Sequence, residues 1–461
     1  MTQQKKFPDT LVILMSILLV FVILTWIIPA GTFDRMEMNG REVVVPGSYQ
    51  QVEAAPQGLG AFLMAPIKGF IGAGQIIAFV FLIGGAFAMI NKTGAMDAGI
   101  HSVLEASRRN KNIKRWSIPI LMTMFSLGGA TFGMSEEVLV FVMITIPLGI
   151  ALGYDSIVGV AISFVGAGAG FAGAFLNPFT VGVAQGIAEL PPFSGMSYRL
   201  IAWVIMTVAA IVFVMRYAAK IEKNPEKSPV YELDKQRDDK IVNGGPVDFT
   251  RRHKWVLWLL LLSLVVLVLG VSEWGWYINE ITGLFLALGI LAAVIGGISL
   301  DDAVSSFKHG AKEMMVPALV IALAKGLIVV AEDGRIIDTM LNSLASMASG
   351  LPKGLSVEMM FIFQSLLNFF IPSGSGQAAL TMPIMAPLSD LLGVSRQVAV
   401  LAFQFGDGFS NLIIPTSGVT MGILAIAKIP YNIWFRWMLP LFLIFSVLAM
   451  IFLFFAVMYI Q

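Results

Sequence analysis

Proline and glycine recur in this chain at a fixed offset of 240 residues, and they recur inside its most apolar stretches. Pro147 and Gly153 match Pro387 and Gly393, Gly94 matches Gly334, Lys68 matches Lys308, and Gly166 and Gly168 match Gly406 and Gly408. After a three-residue slip the offset becomes 237, pairing Pro178 with Pro415, Thr180 with Ser417 and Arg199 with Arg436. Each copy thus carries polar, Gly- and Pro-broken stretches inside otherwise apolar segments. Two such interruptions in corresponding halves are the best sequence-level pointer to a transporter's binding site. The repeat implies a chain built to move a solute across a membrane.

Composition agrees. Hydrophobic residues make up 57% of 461 and charged residues 13%, against about 25% charged in a soluble globular chain. Lipid is therefore the expected solvent and neighbour. Residues 11–30 form an apolar run broken by Ser16, Thr25 and Pro29, long enough to span a bilayer core of about 20 residues. It follows Lys5 and Lys6 as a signal peptide would, but it is too long for one and has no small-x-small cleavage site. The net charge of +1 and the lack of a basic patch with interleaved aromatics give no sign of nucleic acid. Cysteine is absent, which removes disulfides, thiolate metal sites and thiol nucleophiles. His101, His253 and His309 are scattered outside the apolar runs and point to no metal site.

Charge bias sets the expected orientation. Residues 216–254 hold ten Lys/Arg against seven Asp/Glu, and the 108–115 loop holds five basic residues in eight. By the positive-inside rule both are cytoplasmic, while residues 31–66 belong outside. The counterpart of the basic loop, 348–355, holds only Lys353. One copy of the same element is strongly basic and the other nearly neutral, as expected if the two face opposite sides. The reading is an all-α polytopic membrane protein made of two inverted-topology repeats.

The expected layout runs in order. Residues 1–66 hold the first transmembrane helix and an outer loop. Repeat 1 covers 67–218, with a span at 70–91, an interfacial amphipathic helix at 94–106, a re-entrant hairpin at 117–150 and a broken helix at 155–190. A cytoplasmic linker covers 219–253, two helices 254–298, and repeat 2 covers 299–461. The second repeat has a span near 314–331, a hairpin at 356–392 and a broken helix at 396–427.

Unwound backbone at membrane depth is tolerated only where protein or a wet cavity satisfies it. The four breaks hold the candidate substrate-binding residues: Ser135, Glu136 and Glu137; Asn177 and Thr180; Ser373, Ser375 and Gln377; Asp407, Ser410, Asn411, Thr416 and Ser417. Half-helix N-termini, expected at Ser375 and Asn411, present N–H groups and a positive dipole end to a carboxylate. Carbonyls at the opposite ends, with Ser, Thr and Asn oxygens, suit a small hard cation. An intramembrane carboxylate costs about 2.5–3.5 kcal/mol even on the lenient scale, so adjacent Glu136 and Glu137 are functional by default. Their repeat-2 counterparts are Gly376 and Gln377, so the site is not charge-symmetric. Lys325, deep in its span, is the remaining candidate, and it pairs either with Asp407 or with substrate.

Four motifs carry a resemblance: Gly-Met-Ser-Glu-Glu at 133–137, Asn-Pro-Phe-Thr-Val-Gly-Val-Ala-Gln-Gly at 177–186, Pro-Ser-Gly-Ser-Gly-Gln-Ala at 372–378 and Ser-Asn-Leu-Ile-Ile-Pro-Thr-Ser-Gly at 410–418. They resemble the YfcC-type carriers of the anaerobic four-carbon dicarboxylate carrier family, within the broad ion transporter superfamily, over nearly the whole chain. The resemblance implies re-entrant hairpins and broken helices, a homodimer, and an elevator in which a transport domain moves past a scaffold. In distant sodium–dicarboxylate relatives, Ser-Asn-Thr motifs bind carboxylate and sodium; Ser410-Asn411 and Asn177-Pro178 match that pattern only in part. Similar members include arginine–ornithine exchangers.

The expected function is secondary transport of a small carboxylate-bearing metabolite across a bacterial cytoplasmic membrane. Both charge signs in one site favour an amino acid, a basic one best, with a four-carbon dicarboxylate as the alternative. A passive channel would want a continuous polar stripe and no paired hairpins. An enzyme would want a nucleophile–base constellation that the apolar runs lack, and a nucleotide-driven pump a Gly-x-x-x-x-Gly-Lys-Ser/Thr loop that the chain lacks. No cofactor is expected, and sodium and proton both stay open as the coupling ion.

Overall fold

Apolar runs leave the backbone no partner but itself in lipid, and this chain answers almost throughout with helix. The computed structural model describes residues 10–38, 41–99, 102, 105, 111–235, 249–349 and 351–459. Among these, five helices are long and apolar enough to cross a membrane: Gly74–Lys92, Met196–Lys223, Ile278–Gly296, Leu300–Asp333 and Tyr431–Tyr459. Lys5, Lys6, His101, residues 100, 103, 104 and 106 of the expected 94–106 helix, part of the basic loop and residues 236–248 of the linker lie outside the described residues.

The chain opens with α1 (Thr10–Ile27). The outer loop holds two two-stranded antiparallel ribbons, β1 (Gly31–Thr32) with β4 (Gln50–Gln51) and β2 (Arg35–Met38) with β3 (Arg41–Val44). Residues 59–66, expected within the outer loop, begin a helix instead. This is α2 (Leu59–Gly72), and α3 (Gly74–Lys92) follows after a bend at Ala73. The first hairpin is α4 (Lys111–Phe132) and α5 (Val138–Ala151). Its first arm, expected to start at 117, extends back into the basic segment. A helix α6 (Ser156–Ala172), with a π stretch over Ala161–Val165, is broken at 173–177 and resumes as a π turn Pro178–Gly182 and α7 (Val183–Ile187). Then come α8 (Met196–Lys223), the short α9 (Tyr231–Lys235), α10 (Arg251–Glu273) and α11 (Ile278–Gly296).

The second half repeats this order. Helices α12 (Leu300–Glu313) and α13 (Met315–Asp333) meet at Met314, and α14 (Ile337–Ser349) follows. The second hairpin is α15 (Lys353–Asn368) and α16 (Gly374–Leu391). The second broken helix is α17 (Arg396–Ser410) and α18 (Gly418–Ile426), and α19 (Tyr431–Tyr459) ends the chain.

The two halves interlock by matched contacts. Helix α2 packs on α13, and α12 packs on α3. Both crossings are glycine-to-backbone: a Cβ on Gly69 would stand 2.0 Å from the Ala322 carbonyl oxygen, and one on Gly310 2.2 Å from that of Gly84. Each hairpin ends its second arm on a left-handed glycine, Gly153 (φ 80) and Gly393 (φ 63). Each glycine faces a lysine from the start of the first arm, Lys114 and Lys353, where a cation meets the carbonyl pole of a helix end. The outer ribbon is fixed to α14 by Arg35 and Asp338 at 3.1 Å, with the Phe33 amide donating to the same carboxylate at 3.0 Å. The linker folds back onto the N-terminus of α6, where Tyr217 and Ser228 hydroxyls donate to Asp155 and the Ser156 amide donates to Asp234. His253 caps α10 and His309 is exposed on α12.

Candidate functional site

A broken helix strands carbonyls on one side of the gap and amides on the other, and all must find partners away from lipid. In the second break, Trp434 Nε1 donates to the Leu412 carbonyl at 2.9 Å, Tyr431 OH to that of Ile413 at 2.8 Å, and the Thr420 hydroxyl to that of Asn411. Asn368 Nδ2 and Asn411 Nδ2 both donate to the Asp407 carbonyl, at 3.0 and 2.9 Å. In the first break, the Leu176 amide reaches the Ala130 carbonyl of the hairpin at 3.1 Å. Asn177 Oδ1 accepts from the amides of Phe179 and Thr180, so Asn177 caps the resumed helix. Protein groups thus hold both breaks open as designed gaps.

The hairpin tips meet at the first break. Gly133, with φ 75, lies so close to Asn177 that a Cβ there would be 2.6 Å from its Oδ1. Gly374, at the start of α16, faces Thr180, Phe171 and Asp407 from the other side. Between the tips and the helices α2, α3 and α13 lies a cavity of about 510 Å³, within the size range of small-molecule sites.

Its wall gathers most of the residues expected from the sequence. Ser135, Glu136 and Glu137 come from the first tip, Thr180 from the first break, and Ser373 and Ser375 from the second tip. Asn411, Thr416 and Ser417 come from the second break and Lys325 from α13. Glu137 is 7% exposed, and its Oε2 accepts from the Ser135 amide at 3.0 Å. Ser373 and Ser417 cap α16 and α18, accepting from the amides of Gly376 and Thr420.

Four expected residues stand behind the wall. Asn177 is fully buried in its capping role. Gln377 donates to the carbonyl and side-chain oxygens of Gln364, at 2.9 and 2.7 Å. Ser410 accepts from Asn368 at 2.8 Å. Asp407 is fully buried, with Oδ1 held by Asn411 at 3.2 Å. Of the two alternatives for Lys325, the ion pair with Asp407 does not form: the lysine lines the cavity, and the aspartate is buried behind its wall. Asn411 is also corrected. It ends α17 at the carbonyl pole, and the second amide-rich N-terminus is at Ser417–Gly418, because the helix resumes only after Pro415.

Sequence reasoning missed the opposite wall. Gly72, Ala73 and Ile76 line it from the α2–α3 bend, with Trp276, Tyr277, Phe171 and Phe179. Tyr277 lies within electrostatic reach of both glutamates, its ring tilted against that of Phe179 at 6.1 Å between ring centres. Three aromatics in four residues around Gly275 were the available signal, although such clusters also mark membrane interfaces. Among the described residues no group of three His, Cys, Asp or Glu side chains could hold a metal ion.

Comparison with known proteins places this geometry in a family. The model of the "DcuC: C4-dicarboxylate anaerobic carrier" family matches residues 7–458. A protein of Escherichia coli (strain K12) named "Putative basic amino acid antiporter YfcC" is 38% identical, covering 94% of this chain and 93% of that one. An uncharacterized Haemophilus influenzae protein is 30% identical, covering 95% and 94%. Among solved structures, the Alcanivorax borkumensis YdaH transporter aligns with a TM-score of 0.41 at 16% identity, covering 97% of this chain and 98% of that one. The chain is a multi-pass secondary transporter rather than an enzyme, and it belongs to the C4-dicarboxylate anaerobic carrier family.

Proposed function

We propose that this carrier moves a basic amino acid, by exchange, across the bacterial cytoplasmic membrane. The observation that carries the reading is the charge of the cavity wall: Glu136 and Glu137 against Lys325 alone. When all three are ionised the wall is net negative by one charge. A basic amino acid, positive by one, complements it, whereas a dicarboxylate, negative by two, meets two carboxylates with one ammonium to offset them. The ligand's carboxylate and its side-chain cation each have a partner. The α-carboxylate suits the amide-rich starts of α16 and α18, and the guanidinium or ammonium suits the glutamates. Trp276, Tyr277 and Phe179 offer ring faces to a cationic side chain. The name of the Escherichia coli relative agrees with this choice. The family description favours the second reading, a four-carbon dicarboxylate, in which Lys325 meets one acid.

The same reading takes the halves as inverted-topology repeats forming an elevator. The hairpins, broken helices and cavity form the moving unit, and α2, α3, α11, α12 and α13 form the fixed frame of a homodimer. The matched crossings at Gly69 and Gly310 support the two-fold relation. Contact of the outer ribbon with α14, and of the linker with α6, supports the assigned sides, since each pair was expected on one face.

Purified protein titrated with arginine, ornithine, a neutral amino acid, succinate and citrate tests the choice. Exchange by proteoliposomes with and without internal counter-substrate then separates carrier from channel. Arginine or ornithine should bind most tightly and exchange. Tight succinate binding with no amino acid bound would move the assignment to the dicarboxylate.

A further inference from the structure

Asp407 is a carboxylate with nothing to neutralise it. It is fully buried, and no ion pair reaches it among the described residues. Oδ1 accepts from Asn411 Nδ2 at 3.2 Å, and Oδ2 has no partner. Close by, the Thr180 hydroxyl is unpartnered, and so is Gln404 Oε1, one turn back on α17. The Gln404 amide cannot be turned around, because its nitrogen donates to the Phe171 carbonyl at 2.6 Å. A bare carboxylate here would be a buried charge with no cation to offset it. A proton on Oδ2 removes the charge and turns the unpartnered oxygen into a donor.

The charged and titratable groups on the elements packed against α17 lie elsewhere. Lys353 of α15 donates to the Gly393 carbonyl, Asp390 of α16 pairs with Arg396, and Tyr431 of α19 donates to Ile413. Glu358 of α15 and Arg436 and Tyr459 of α19 are the others. None acts on Asp407, whose surroundings are burial and the Asn411 amide. The first-half elements against it, α6, the π turn and α7, carry no charge.

We infer that Asp407 is the site of a coupling proton, bound at Oδ2 and gated by the tip of the second hairpin. This rests on the carrier reading above and adds the ion to it. The gate is one residue thick. Gly374 lines the cavity, and a Cβ there would lie 3.0 Å from Oδ2, so lifting this tip exposes the acid to cavity water. The proton then passes from water to Oδ2 on one side of the membrane and from Oδ2 back to water on the other. Asn411 provides the link to substrate. Its amide nitrogen holds Asp407 while the residue also lines the cavity, so a ligand that draws on Asn411 changes the hold on the acid.

Two measurements on the full chain test this. Infrared spectra of wild type in liposomes should contain the carbonyl stretch of a protonated carboxylic acid, and Asp407→Asn should lack it. A pH-sensitive dye inside the liposomes should report proton movement when arginine is added. That signal should fall about tenfold or more in Asp407→Asn, as for other intramembrane acids that relay protons. Gel filtration and thermal melting establish that the near-isosteric variant is folded, and the wild-type dye signal stands as evidence even if it is not. A wild-type spectrum without the band, a band that persists in Asp407→Asn, or sodium-driven uptake with no proton movement would overturn the assignment. A band present in protein that neither binds nor moves arginine would support the proton on Asp407 and sink the substrate reading instead.

Discussion

Glu137→Gln isolates charge from shape. The amide has the size of the carboxylate, and its oxygen can still accept from the Ser135 amide, now 3.0 Å from Oε2. The hairpin tip should therefore keep its form. What is lost is a negative charge facing the ligand, taking the wall from net −1 to neutral. A hydrogen bond to a charged group contributes about 1.5–3 kcal/mol. An ion pair at ~4 Å brackets that, at about 1 kcal/mol in water and about 4 kcal/mol at an effective dielectric of 20. The cavity is open enough to hold water, so the lower half of the range applies. Arginine affinity should weaken by about 10- to 50-fold, or ~1.4–2.3 kcal/mol. Succinate, repelled by the same charge, should bind more tightly or unchanged. Calorimetric titration of detergent-purified wild type and variant reads both numbers. Arginine affinity within twofold of wild type, in a variant with wild-type melting, would show that Glu137 does not face the ligand's cation.

Three further outcomes are expected. Gly310→Val drives a side chain into the Gly84 carbonyl, so α3 and α12 must separate, at a cost of about 1–3 kcal/mol; Gly283→Val, with nothing within 4 Å of its Cβ, serves as the control, and equal melting of the two would refute the tight crossing. Trp276→Ala should weaken arginine about 2- to 30-fold through lost ring contact with the cation and affect a neutral amino acid less, and equal losses for both ligands would reduce Trp276 to shape alone. With exposed positions in a cysteine-free chain, Glu53→Cys should react with an impermeant maleimide from outside intact cells and Glu226→Cys only after lysis, and the reverse pattern would undo the assigned topology.

What was legible in the sequence was the part dictated by local chemistry. Proline removes a donor and glycine permits φ above zero, so the hairpin ends at Gly153 and Gly393 and the breaks before Pro178 and Pro415 were written directly into the chain. The breaks in turn named most of the cavity wall. What was hidden depends on packing. Helix α2 (with Gly60, Gly69, Gly72 and Pro66) begins inside the segment whose charges marked only its side, and Gly69 is there so that α13 can approach. The direction of a polar side chain is likewise not local. Asp407, Gln377 and Ser410 share the breaks with Asn411 and Ser417, but α15 and α17 turn them inward. Asn411 itself was assigned to the wrong pole, because a break in the pattern does not say how many residues pass before the helix resumes.

The repeat and the chemistry divide the labour along one line. Features shared by both halves are geometric: glycine crossings, lysine-faced hairpin ends, prolines after the breaks. The charges of the cavity and of the buried acid occur once. Glu136 and Glu137 stand where the second half has Gly376 and Gln377, Asp407 stands where the first has Ala167, and Lys325 where it has Gly85. A two-fold frame can offer the same gate to each side of a membrane, which alternating access requires. The proposed amino acid substrate has no such symmetry, and a symmetric site would have to bind its acid end and its cationic end with identical groups. Placing carboxylates on one tip and an amide-rich helix start on the other lets a single pose satisfy both ends. The buried acid then belongs to the half whose tip lacks carboxylates, on α17 behind Gly374, where its proton is not in competition with the substrate's cation.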